Sequence, residues 1–232
     1  MQRSSRDPSG CAGIGVPVFG SGCFDVQPAV SQVERQQRPG RAGPSTMHPS
    51  RQFHHCPRCG QPVDPPLTGA PLICTGCGFR LYFNPAVAVA VFIQREDGRI
   101  LLIRRAQEPG AGLWAPPGGF IDIGERAESA VHREIFEEVG LRLRALRYLC
   151  SQPNEYAFGG VTYPVLDLFF TAQAISTEGA TSAEEVHAVE WHEPHLLRGE
   201  DLAFPSMRAA WQEWLRTNPA FAADSAGDSL AR

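Results

Sequence analysis

Long apolar runs are missing from this 232-residue chain: the longest, such as 86–93 and 165–170, fall far short of the roughly 20 residues a membrane-spanning helix needs. An excess of basic charge is missing too. With 21 basic against 25 acidic side chains the net charge is −4, so there is no general attraction for nucleic acid or an anionic membrane surface. A polyanionic substrate would have to be gripped locally, and neither nucleic acid nor a membrane is an expected partner. Ile14 to Phe19 is short and broken by Gly and Pro, which makes a poor secretory leader. Nor do the seven cysteines form a disulfide framework: four lie in two Cys-x-x-Cys pairs, while Cys11, Cys23 and Cys150 are scattered. The expected setting is cytoplasmic and reducing.

Residues 1–50 are rich in Gly, Pro, Ser, Gln and Arg and hold too few large apolar side chains to offset the entropy of ordering them, so disorder is expected there. The composition changes abruptly near Met47. Two readings stand, a flexible tail or translation from Met47. A metal-binding module is expected over residues 53–84, a catalytic domain over 85–217 and a flexible tail over 218–232. Within the domain, Ala86 to Ile93 and Arg99 to Arg105 read as strands joined at Glu96-Asp97-Gly98, where Asp-Gly suits a tight turn. Pro116-Pro117-Gly118-Gly119 breaks regular structure. Glu125 to Val139 then places Ala127, Val131, Ile135 and Val139 one helical turn apart, with Gly140 as the cap. Leu143 to Ser151, Val161 to Ala174 and Val186 to Trp191 read as strands, and Phe204 to Arg216 as a closing helix. Strands on both sides of an amphipathic helix indicate an α/β domain.

That helix carries the chemistry. Glu134 and Glu138 are four residues apart and Glu137 is three from Glu134, so the carboxylates project from nearly one face and repel. Arg133 is positioned to reach Glu137 at i+4, which leaves Glu134 and Glu138 facing each other. A bound cation would remove that penalty, and hard divalent ions such as Mg²⁺ prefer oxygen ligands. Gly118 and Gly119 allow the loop backbone to approach a metal or phosphate closely. A solvated acidic face is the plainer alternative for an isolated Glu-x-x-Glu-Glu helix.

The stretch from Gly119 to Leu141 resembles the Nudix box, Gly-x5-Glu-x7-Arg-Glu-U-x-Glu-Glu-x-Gly-U with U a bulky aliphatic residue, and every specified position matches. The resemblance implies an α/β/α sandwich around a mixed sheet and a Mg²⁺- or Mn²⁺-dependent pyrophosphohydrolase. By the same resemblance, Glu134 and Glu138 would bind the catalytic metals, with Glu137 as a further ligand. Arg133 and Glu125 would fix the geometry of that face, and Gly118 would offer its carbonyl. Glu185 stands six residues before Trp191, similar to the later Glu-x5-Trp segment of zinc-bearing members, where the Glu is a metal ligand or base. An exposed loop acid is the other reading.

Cys56-Pro-Arg-Cys59-Gly and Cys74-Thr-Gly-Cys77-Gly suit a tetrahedral structural Zn²⁺. Redox dithiols are the competing reading, but neither pair opens a helix in a βαβ setting. His54 and His55 are bystanders once four sulfurs close the site. A zinc ribbon ahead of such a domain resembles NADH pyrophosphatases and related dinucleotide hydrolases, over residues 56–217. Those carry Ser-Gln-Pro-Trp-Pro-Phe-Pro after the box, whereas here Ser151-Gln152-Pro153 is followed by Asn154-Glu155-Tyr156-Ala157-Phe158. The substrate is therefore left open among ADP-ribose, NADH, FAD and other nucleoside diphosphate derivatives.

Tyr156 and Phe158 are candidates to stack on a base, or to pack within the domain. Arg104 and Arg105 could hold phosphate in bidentate fashion or stay solvated. Trp114, Trp191 and Trp211 read as core. A homodimer is implied by analogy with relatives. Rival readings are a nucleotide sensor without turnover and a hydrolase of modified nucleoside triphosphates.

Overall fold

The computed structural model describes residues 47–176 and 186–219. The expected disorder over residues 1–46, the end of the expected tail and Glu185 lie outside the described residues. Among the described residues no helix is long and apolar enough to cross a membrane.

The described residues open with a short 3₁₀ turn (Pro49–Gln52), followed by a short antiparallel pair, β1 (Leu72–Ile73) and β2 (Arg80–Leu81). There follow β3 (Ala86–Gln94), β4 (Ile100–Arg105), β5 (Trp114–Ala115), α1 (Ala127–Val139), β6 (Leu143–Phe158), β7 (Val161–Ala174), β8 (Val186–His192) and α2 (Pro205–Thr217). The main sheet is mixed and runs β5-β4-β3-β7-β6, with β8 on the other side of β4. β3 and β7 are parallel in continuous register from Ala86↔Val165 to Gln94↔Gln173. The other pairs are antiparallel.

β3 and β4 form the expected hairpin, closed by Gly98 at φ 88°. They pair only beside the turn, at Ile93↔Leu101 and Gln94↔Ile100, and then diverge. Residues 117–121 lie along the freed edge of β3: Val91 N donates to Pro117 O (3.0 Å), Val89 N to Gly119 O (2.8 Å) and Ile121 N to Val87 O (2.9 Å). The loop is thus tied down over its length, which holds its backbone against the sheet.

Helix α1 buries Ala130, Val131, Ile135 and Val139, the stripe expected of a 3.6-residue period. It ends at Gly140 (φ 68°, ψ 10°), whose N–H bonds to Phe136 O. On the face that meets α2, Phe92 stacks on Phe169 (6.1 Å between centroids) and packs on Trp211 (5.5 Å), which stacks on Trp214 (4.8 Å). The sheet therefore lies between two helices.

Two features differ from expectation. β6 continues past Ser151 to Phe158 and turns through Gly159 and Gly160, both at positive φ. Pro153 does not stop it, because β6 ends the sheet and a proline nitrogen is tolerated at an open edge. Residues 47–50, within the segment expected to be disordered, are packed: Met47 N donates to Gly160 O (3.4 Å) and Thr162 N to Met47 O (3.0 Å). The ring of Phe83 meets His48 and Phe53 edge-on, so the segment that bonds to the hairpin turn at Gly160 also packs on the cysteine module.

Candidate active site

The 117–121 loop and α1 meet at two glycines. Gly118 sits at φ 149°, and a Cβ there would lie 2.1 Å from Val89 O, so a side chain would drive the loop off β3. At Gly119 a Cβ would stand 2.5 Å from the Glu134 carboxyl. Glu138 Oε2 accepts the N–H of Gly118 at 2.8 Å. The carboxyl groups of Glu134 and Glu138 thus converge on the same stretch of loop backbone.

Arg133 organises the rest. Its Nε and Nη2 donate to Glu125 at 3.0 and 2.7 Å, and Nη2 also reaches Phe120 O at 3.1 Å. Its Nη1 meets Glu134 Oε1 at 2.7 Å and Glu137 Oε2 at 3.3 Å. Arg133 was expected to reach only Glu137. It reaches Glu134 as well, because Glu125 in the preceding loop draws the guanidinium across the helix face. The repulsion within the cluster is therefore eased from two sides, by Arg133 and by the Gly118 amide. Glu125 in turn accepts from Asp122 N at 3.1 Å, which closes the loop onto the helix.

The charge states follow from these contacts. Hydrogen bonding from Arg133 first, and from the Asp122 amide, holds the Glu125 carboxyl below its ordinary range. The Arg133 guanidinium is held more firmly protonated, by Glu125 first and Glu134 second. At Glu134 burial outweighs the arginine and pushes the carboxyl up. Its side chain is 15% exposed against 59% for Glu137, so Glu134 carries the desolvated charge and Glu137 the solvated one. Among the described residues, the glutamates are not drawn as close as the cysteines, whose ligand atoms all lie within 4.8 Å of one another.

The other candidates fall into place unevenly. Arg104 Nε bonds to Gly112 O (3.0 Å), and its guanidinium lies over Trp114. Arg105 Nε bonds to Pro109 O (2.9 Å) and lies over Phe204. Tyr156 packs between Phe120 (6.0 Å) and Phe204 (6.2 Å), so it touches the loop that carries the glycines. Phe158 sits at the far end of β6, opposite Val161 and beside the hairpin turn. Trp211 is buried, whereas Trp114 and Trp191 pack at the core's margin. Asp167 went unnoticed in the sequence, yet it is buried and accepts Ser206 Oγ at 2.6 Å. Its signal was a single carboxylate inside the apolar run 165–170.

In the cysteine module each pair bends the same way. Gly60 N returns to Cys56 O and Gly78 N to Cys74 O, both at 2.9 Å. The φ values of Gly60 and Gly78 are 74° and 70°. Cys56 and Cys77 Sγ are 3.7 Å apart, as are Cys59 and Cys74 Sγ. A tetrahedron with metal–sulfur bonds of about 2.3 Å has edges of about 3.8 Å, so the four sulfurs are spaced to hold one metal ion. His54 and His55 are exposed and outside the group.

Comparison with known proteins follows the same lines. The family described as NUDIX domain matches residues 84–214. The proteins named NAD-capped RNA hydrolase NudC from Salmonella heidelberg (strain SL476) and Salmonella typhi are each 39% identical over 142 residues, which is 61% of this chain and 52% of theirs. The chain spans about half the length of the curated relatives it matches. A crystal structure of a NUDIX hydrolase from Nitrosomonas europaea superposes with a TM-score of 0.53 at 21% identity, covering 72% of this chain and 93% of that one. At that identity the likeness speaks for the fold alone.

Proposed function

The chain belongs to the NUDIX domain family, and from that membership we propose that it hydrolyses a phosphoanhydride in a nucleoside diphosphate linked to another group, with divalent cations. The convergence of Glu134 and Glu138 on Gly118–Gly119 carries this reading. The residues present fit a hard cation: the donors are oxygens, and at Gly119 the backbone leaves open the space that a Cβ would fill. Mg²⁺ or Mn²⁺, when bound, would neutralise the diphosphate, polarise phosphorus and lower the pKa of water.

Glu134 and Glu138 would hold the cations, with Glu137 and the Gly118 carbonyl as further ligands and Glu185 as a ligand or base. Arg133 fixes Glu134 and Glu137 through the same guanidinium that Glu125 anchors, so the loop and the helix face move together. Gly119, lacking a side chain, leaves the loop open to a phosphate. A Zn²⁺ ion on Cys56, Cys59, Cys74 and Cys77 would hold the module as a structural ribbon.

The substrate class is that of ADP-ribose, NADH and FAD. The Salmonella relatives are named for NAD-capped RNA, which places the same kind of linkage at the end of a nucleic acid. The net charge of −4 speaks for recognition of the cap rather than of the RNA. A cytoplasmic setting and a homodimer belong to the same proposal.

Purified protein incubated with Mg²⁺ and a panel of these compounds is expected to release a nucleoside monophosphate. Glu138→Gln should abolish the release. Release unchanged by that substitution, or binding with no turnover by the wild type, would overturn the reading.

A further inference from the structure

Outside the box, one buried carboxyl among the described residues is not used by the chemistry above. Asp167 is 6% exposed, in the middle of the apolar β7. A buried carboxylate is costly unless hydrogen-bonded. Here it accepts the Ser206 hydroxyl at 2.6 Å and a hydrogen bond from the Asn154 side chain. Ser206 is the second residue of α2 and is itself buried. Asn154 lies on β6, two residues before Tyr156. One carboxylate therefore ties two elements to the sheet, α2 just after Phe204 and β6 just before Tyr156.

Those two aromatics share a face with it. Directly paired strand residues present their side chains on the same side, which groups Ala88, Asp167 and Gln152. Phe120 opposes Ala88 and joins them. Asn154 and Tyr156 follow Gln152 at the two-residue period of a strand. Phe120, Tyr156 and Phe204 then make successive ring contacts at 6.0 and 6.2 Å. Ala86 is exposed and Ala88 partly so, which leaves β3 without bulk beside them. Along the loop, Gly119 faces Glu134, while the next residue, Phe120, faces Tyr156. Adjacent residues thus turn one way to carboxylates and the other way to aromatic rings.

We propose that Asp167, through Ser206 and Asn154, is a positioning residue that sets Phe204 and Tyr156 as an aromatic wall for the base of the substrate's nucleoside. This rests on the hydrolase reading for the ligand being a nucleotide. The base stacks against the wall while the phosphates meet the glycine loop. Asp167 touches neither and acts through the two elements it pins.

The test is binding without turnover. AMP and ribose 5-phosphate, which lacks the base, are titrated calorimetrically in the absence of divalent cations into wild type, Asp167→Asn, Ser206→Ala and Asn154→Ala. Wild type should bind AMP more tightly than ribose 5-phosphate. Each variant should weaken AMP by on the order of tenfold, within the range of base stacking, and leave ribose 5-phosphate unchanged. The double variant Asp167→Asn/Ser206→Ala should add little to either single one. If Asp167→Asn fails to fold, Ser206→Ala and Asn154→Ala carry the test. Equal loss for both ligands, as a general loosening of the fold would give, overturns the proposal. So do unchanged AMP affinity and a wild type that does not prefer AMP. A wild type that shows no preference for AMP yet keeps Mg²⁺-dependent release would sink this inference alone; a wild type that prefers AMP yet shows no Mg²⁺-dependent release would sink the hydrolase reading.

Discussion

At Gly119 an added methyl group would meet the Glu134 side chain, since a Cβ would sit 2.5 Å from its carboxyl. Gly119→Ala should therefore displace Glu134 and lower kcat/KM by about 100-fold, while the far-ultraviolet spectrum stays that of the wild type. Undiminished turnover would show that Glu134 does not need its present place. A second residue-scale effect is on pH. Burial, only partly offset by Ser206 and Asn154, holds the Asp167 carboxyl above its ordinary value of 3.8. A group shifted upward contributes most while protonated, below its unfolded value, and loses that contribution as pH rises through the folded one. From about pH 4 upward, the urea midpoint of the wild type should fall relative to that of Asp167→Asn. Parallel curves would contradict the assignment. The box residues were legible because the motif names each position. The contact of Arg133 with Glu134 was not, because helix neighbours normally diverge and it takes Glu125 and the Phe120 carbonyl, both from outside the helix, to bend the arginine back. Nor was the tie between Asp167 and Ser206, which spans 39 residues.

Among the elements, α1 was the most readable, since its apolar stripe and its terminal glycine are both local signals. Gly140 adopts φ 68°, where a side chain is strained by roughly 1–2 kcal/mol. Gly140→Ala should lower the unfolding free energy by about that amount in urea titrations, and an unchanged midpoint would mean that the helix end relaxes. The loop at 117–121 was less readable. Two prolines and two glycines read as a break, and local sequence cannot say that a break will lie along a strand edge that β4 has vacated. β6 was underestimated at Pro153 for a related reason: whether a proline ends a strand depends on whether the strand is at the edge, which is a property of the sheet.

For the whole molecule, the cysteine-bearing segment and the sheet are held by different forces. The sheet has a continuous core from Val89 to Trp214. The module has two short strands and a pair of bent turns, with Leu72, Cys56 and Cys74 as its buried hydrophobic residues, too little to fold without a staple. A strong zinc chelator should therefore expose residues 53–84 to limited proteolysis while the fragment from about residue 85 survives; simultaneous digestion of both would show one cooperative unit. Overall architecture was legible because strand and helix patterns are dense; the aromatic wall was not, because Phe120, Tyr156 and Phe204 meet only through tertiary packing. In the proposed hydrolase, Glu134 and Glu138 hold a divalent cation at the glycine loop. Titration of Mn²⁺ followed by electron paramagnetic resonance tests it most directly: wild type should quench the free-ion signal and the Glu134→Gln/Glu138→Gln variant should leave it. Equal quenching by both would place the metal elsewhere and contradict the account.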